Sequence, residues 1–260
     1  MAETVRESQN TTPRSMHWNW IPAIFIKPRQ TITKILAEEK PVWLTPLLII
    51  SILVALSVLV SAPIQRVITQ SGADMPENFE YWTQDEQNAF LQAQANQTSP
   101  LFLYIFPFVE RLAGYWLIWF LFSSILHLSI TLSGSRANRQ KTSNLAAWTM
   151  IPFALRLLVE IVVMLTTKRL VEFPGLSSLM PSEVAGFNIY LKGILSAIDI
   201  YYVFHIILML IGAVPLSGLS KSKATTATLI AVLIMLLLQA LPGWVVSLFS
   251  GLSGTGGFYF

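Results

Sequence analysis

Residues 101–132, LFLYIFPFVERLAGYWLIWFLFSSILHLSITL, and residues 145–166, LAAWTMIPFALRLLVEIVVMLT, decide the fold. Each run is at least as long as the roughly 20 helical residues that cross a bilayer's hydrocarbon core. Each also holds ionisable residues: Glu110 and Arg111 in the first, Arg156 and Glu160 in the second. A basic connector, Arg136-Ala-Asn-Arg139-Gln-Lys141, joins the two. Charges inside hydrocarbon are costly, so these groups must pair, meet water or face other protein.

Working outward, the rest of the chain fits the same class. Its 260 residues are 53% hydrophobic and 12% charged, and the mean hydropathy is +0.58. A soluble domain carries about twice that charged fraction. Three more runs have spanning length, at 42–62, 193–216 and 225–249. Pro46 falls in the first turn of the first of these, where a missing N–H is tolerated. Residues 101–109 read as a lead-in bent at Pro107, which leaves a span at 111–131, and the next lies at 145–166. The expectation is an all-α polytopic bundle of five transmembrane helices.

Between the spans, the 63–100 loop is long and acidic. Its Thr83-Gln-Asp-Glu86 has capping-box spacing and opens a small exposed helix that runs to Ala95. The 167–192 loop holds Pro174, Gly175 and Pro181, with Ser182 as a cap for the next helix. Residues 1–15 form a polar, disordered tail and 250–260 a Gly-rich one. From Met16 to Pro41, Trp18, Trp20 and Phe25 alternate with Lys27, Arg29, Lys34 and Lys40. That mixture suits a short helix on a cytoplasmic membrane surface; a polar linker is the plainer alternative. Residues 1–17 lack the apolar stretch of a signal peptide, so the first span reads as an uncleaved anchor. Lys/Arg are concentrated in the N-terminal segment, the 133–144 connector and the 217–224 turn. The N-terminus is therefore expected in the cytoplasm and the C-terminus outside a plasma (inner) membrane.

Several function classes drop out. With no Cys there is no disulfide, thiolate nucleophile or Cys-ligated metal. A net charge of +3 is too small to argue for nucleic acid. No P-loop, His-Glu-x-x-His, Gly-x-Ser-x-Gly or dinucleotide fingerprint occurs. The expectation is a protein with no catalysis, no cofactor and no metal.

The embedded charges remain to be placed. Counted at about 1.5 Å per residue from the cytoplasmic ends, Arg156 lies roughly 16 Å deep, and Glu160 and Asp199 roughly 22 Å. Glu110 and Arg111 come out near 30 Å, at the outer boundary. We expect Arg156 to be shared between Glu160, one turn away, and Asp199 on the fourth span. Such a cluster reads either as packing specificity or as a proton- or ligand-handling site. Ser196, Asp199 and Tyr202 form one stripe on that span, with Lys192 at its outer end. His205 reads as a hydrogen-bonded packing residue, and His127 as lying near the cytoplasmic interface.

The fourth and fifth spans carry a resemblance. Asp199-Ile-Tyr-Tyr-Val-Phe-His205 runs to Ile211-Gly212, and Ser217-Gly-Leu-Ser220-Lys-Ser-Lys223-Ala224 opens the last helix. With Phe25-Ile-Lys-Pro28, Lys40-Pro-Val-Trp-Leu-Thr-Pro46 and Ile151-Pro152, this resembles the bacterial branch of the Yip (Ypt-interacting protein) family of five-span membrane proteins. The resemblance covers roughly residues 20–250, and Asp199, Gly212 and Lys223 match its recurring positions. It implies an accessory or scaffold protein that binds other membrane proteins, with ABC-type exporter subunits as candidate partners and room for a homo-oligomer. The alternative is a small transporter or channel that uses Arg156, Glu160 and Asp199.

Overall fold

The structure is a computed structural model that describes residues 16–71, 76, 78–171, 174–181 and 184–250, with residues 249 and 250 described by backbone only. The 1–15 tail, residues 251–260 and the expected cap Ser182 lie outside the described residues. Ten α-helices run in order among the described residues: α1 (Trp20–Ile26), α2 (Pro28–Ala37), α3 (Leu44–Gln70), α4 (Gln84–Gln97), α5 (Phe106–Leu132), α6 (Arg139–Trp148), α7 (Ile151–Thr167), α8 (Phe187–Ala197), α9 (Ile200–Ser217) and α10 (Lys221–Ser250). Five stretches are long and apolar enough to cross a membrane: Leu44–Gln70, Leu101–Leu132, Arg139–Thr167, Ile200–Ser217 and Lys221–Leu248. No strand occurs among the described residues.

The helix limits differ from a reading of apolar runs, and each difference has a local cause. The third stretch starts at Arg139, because Asn138 caps it by accepting the Gln140 N–H at 2.7 Å. It is then broken at Thr149–Met150, since Pro152 has no N–H to give back to the preceding turn. Phe153 N–H turns to Met150 O, and Thr149 O accepts His205 Nδ1–H at 2.7 Å. His205 is thus a packing residue that ties α9 to the break between α6 and α7.

The apolar run at 193–216 divides into α8 and α9. Asp199 is the cap of α9, its Oδ1 accepting the Tyr202 N–H at 2.8 Å. The stripe expected along Ser196, Asp199 and Tyr202 is therefore interrupted. A 3₁₀ turn, Gly175–Leu179, covers the break, and Leu176 N–H donates to Ile198 O at 3.0 Å. In the other long loop, α4 opens with the capping box at Thr83 and Glu86.

That box supplies one prediction. The Thr83 N–H and then its hydroxyl bond the Glu86 carboxylate, at 2.9 and 2.8 Å, and hold it below its usual pKa. A lowered folded-state pKa gives support that is fully present above the unfolded value and is lost as pH falls through the folded value. Amide exchange in the first turn of α4 should therefore speed up relative to α3 on acidification. Equal behaviour of Glu86→Gln and wild type across that range would remove the carboxylate from the account.

The N-terminal helices pack on the bundle. Thr31, Ile32, Ile35 and Leu36 of α2 are buried, and α2 lies against α6 and α9. Trp20 meets Trp148, and Phe25 stacks on Phe204 with ring centroids 5.6 Å apart. The opposite side keeps Trp18, Ile26, Lys27, Arg29 and Lys34 exposed. The strand-like lead into α3 is clipped to α6: Asn144 accepts Val42 N–H at 2.9 Å and donates to Lys40 O at 3.1 Å. Trp148 Nε1–H adds a bond to Val42 O at 3.1 Å. Both side chains are fully buried, so the Lys40 carbonyl and both backbone polar groups of Val42 are satisfied by protein.

Gly212 is where α9 approaches α6. A Cβ built there would stand 2.5 and 2.8 Å from the Leu145 Cδ atoms. Gly212→Ala should lower stability by about 1–2 kcal/mol through overpacking, against a helix-propensity gain of about 1 kcal/mol. Thermal unfolding in detergent checks this, and an unchanged or raised midpoint would mean Leu145 can swing aside.

Candidate functional site: a layer of paired charges between the helices

Three helices bring ionisable residues together, and a fourth, α3, adds the hydroxyl of Ser57. Arg111 on α5 reaches across to α3 and α7, where its Nη1 lies 2.8 Å from Glu160 Oε1 and 2.8 Å from Ser57 Oγ. Ser57 in turn donates to Glu160 Oε1 at 3.1 Å, closing a three-membered ring of bonds. Beside it, Arg156 Nη1 on α7 lies 3.3 Å from Asp199 Oδ2 at the start of α9. That contact is an ion pair without hydrogen-bond alignment, since Asp199 Oδ2 has no hydrogen-bond partner among the described residues.

This differs from the expected sharing of Arg156 by two acids. Glu160 takes its hydrogen bonds from Arg111 and Ser57, and among the described residues the layer holds two cations and two anions. Arg111, expected at the outer boundary, belongs to the layer because its long side chain carries the charge several ångströms from its backbone. Glu110, its neighbour, is exposed and stands apart. Of the other recurring positions, Gly212 sits at the α6–α9 contact and Lys223 is exposed in the first turn of α10. Ser57 and Tyr115 are further members that the sequence reading passed over. The one available signal for Ser57 is a hydroxyl within an apolar run, and Thr45, Ser51 and Ser61 in the same run share it.

Burial within the layer is uneven. The Glu160 and Asp199 side chains are each 9% exposed, Arg156 25% and Arg111 40%. The carboxylates lie behind and the guanidiniums in front. In front of them is a cavity of about 280 Å³ lined by Arg111, Gly114, Tyr115, Arg156, Glu160 and, from the 168–186 loop, Val171. It exists because α5 and α7 each pack on α3 but hardly on each other at this level.

A bundle of apolar, membrane-length helices with a layer of paired charges defines a polytopic helical membrane protein. The Yip1 domain model matches residues 23–241, from α1 into the last third of α10, and the chain belongs to the Yip1 family. No curated protein and no solved structure gave a significant match.

Proposed function

We propose that the chain is a non-enzymatic accessory or scaffold protein that binds other membrane proteins, with ABC-type exporter subunits as candidate partners. One observation carries this reading. Arg111 with Glu160 and Arg156 with Asp199 balance each other, and the pairs hold α3, α5, α7 and α9 together. Charges committed to helix–helix contacts give a stable frame, and a frame is what an adaptor needs. The basic connector, the 217–224 turn and the N-terminal helices would face the cytoplasm of an inner membrane. Purification of the full chain from native membranes in mild detergent, with mass spectrometry of co-eluting proteins, tests the reading. A stoichiometric membrane partner lost on mutation of Arg136, Arg139 and Lys141 is the expected result, and a homo-oligomer alone would overturn it.

The cavity beside the charges, together with the broken helix at Ile198–Asp199, favours a second reading as a small transporter or channel. Discontinuous helices recur at substrate sites within membranes. Solute flux into liposomes that disappears in Asp199→Asn and Arg156→Gln variants would establish that reading in place of the first.

A further inference from the structure

We propose that the crevice between α5 and α7 binds a phosphate group, held by Arg111 and Arg156. Its source is either a membrane phospholipid headgroup or a soluble phosphate, and the test below separates the two.

The wall chemistry argues for an anion despite the neutral sum of the layer. Both guanidiniums line the crevice, and both are more exposed than the carboxylates they pair with. A ligand in the crevice therefore meets cation first. Glu160 and Ser57 both bond to the single atom Arg111 Nη1. A guanidinium has five N–H donors on two terminal nitrogens and Nε, so the rest of this fork lies outside that ring of bonds. Phosphate is one of the oxyanions whose geometry such forks match, and a guanidinium is more weakly hydrated than an ammonium. Tyr115 lines the same crevice.

Gly114 supplies an independent argument. A glycine in the middle of a helix costs about 1 kcal/mol relative to alanine. Such a residue is usually explained by a close neighbour, as at Gly212. At Gly114 a Cβ would meet nothing within 4 Å, so no helix contact requires it. Its effect is to keep the crevice wall low beside the two arginines. The volume of about 280 Å³ is many times the roughly 15 Å³ that a single water needs. That accommodates a phosphate with its ester substituents. On the same helices Leu117, Leu158 and Val162 are exposed, an apolar surface against which acyl chains can lie.

The test uses the purified full-length chain in dodecyl maltoside with three probes: dioctanoyl phosphatidylglycerol, dioctanoylglycerol, which lacks the phosphate, and inorganic phosphate. Binding is read from the probe concentration that half-saturates the rise in unfolding temperature. Gly114→Ala, which raises the wall by one methyl group, should bind the phosphatidylglycerol more weakly than wild type. Gly114→Leu, which fills open space, should bind at least tenfold more weakly. Ile118→Phe narrows the crevice from the next turn and should do the same. Saturation by phosphatidylglycerol at far lower concentration than by inorganic phosphate identifies a lipid headgroup, and equal saturation by the two identifies a soluble phosphate. The proposal is overturned if dioctanoylglycerol binds as well as the phosphatidylglycerol, if no probe binds, or if both crevice-filling variants bind like wild type.

Discussion

Replacing Arg111 by Leu is expected to lower the unfolding midpoint of the detergent-solubilised protein by roughly 6–12 °C, the shift that about 3 kcal/mol produces in a chain of this size. The Glu160 side chain is only 9% exposed, and its hydrogen bonds come from Arg111 and Ser57. Without Arg111 it keeps one hydroxyl, and a buried carboxylate so placed either remains an isolated charge or takes up a proton. Removing one member of a buried ion pair typically costs about 3–5 kcal/mol, and the lower end applies because Arg111 is 40% exposed. The double variant Arg111→Leu/Glu160→Leu removes the stranded charge and should recover most of the loss, since well-packed apolar replacements of such pairs are often neutral. Recovery in the double variant is the decisive reading. If Arg111→Leu alone left the midpoint unchanged, Glu160 would have found a replacement cation. Arg156, one turn away on α7, is the obvious candidate, and the two pairs described above would then be interchangeable.

The layer shows what a sequence can and cannot say about such a chain. Five spans were legible because the lengths of apolar runs follow directly from the absence of water in a bilayer core. Arg156, Glu160 and Asp199 stood out for the same reason, as polar residues where polar residues are costly. Their pairing was not legible. Depth was counted along single backbones, and an arginine's charge lies far enough from its Cα to change level by more than a helical turn. Arg111 was consequently assigned to a boundary, although its guanidinium reaches Ser57 and Glu160. The start of α6 was hidden by polarity: residues 139–144 have no apolar character, and only the cap at Asn138 marks them as helix. The division of α8 from α9 was hidden in the opposite way. Ile198-Asp199-Ile200 lies within residues 194–211, a stretch that holds no proline or glycine, so Asp199 reads as a charge within a helix. It is a cap at the beginning of one. Asp is among the strongest residues in that role, and the signal was present in the sequence without a reason to prefer it.

The break at Asp199 leads to the second large effect, at a glycine well outside the spans. Gly175 has φ +54°, and a Cβ there would stand 2.7 Å from both Ile198 O and Ser196 O and 3.0 Å from Leu195 O. All three are backbone carbonyls at the end of α8, which cannot move aside as a side-chain tip can. Leu176, the next residue, donates to Ile198 O and so satisfies a carbonyl that the helix break leaves open. Gly175→Ala should therefore cost about 2–3 kcal/mol, from the left-handed backbone and the steric overlap together. The loss should be concentrated at the break: amide exchange across residues 195–202 should accelerate well before that of α3. Gly218→Ala provides the comparison, because Gly218 also has a positive φ, +65°, but a Cβ there would meet nothing within 4 Å. It should show only the conformational part, about 1 kcal/mol. Equal effects of the two substitutions would mean that the turn at 175–179 merely rests on the break. A larger effect at Gly175 makes the turn a clamp on the α8–α9 junction. Loosening it then frees the cap residue Asp199, and with it the carboxylate that faces Arg156.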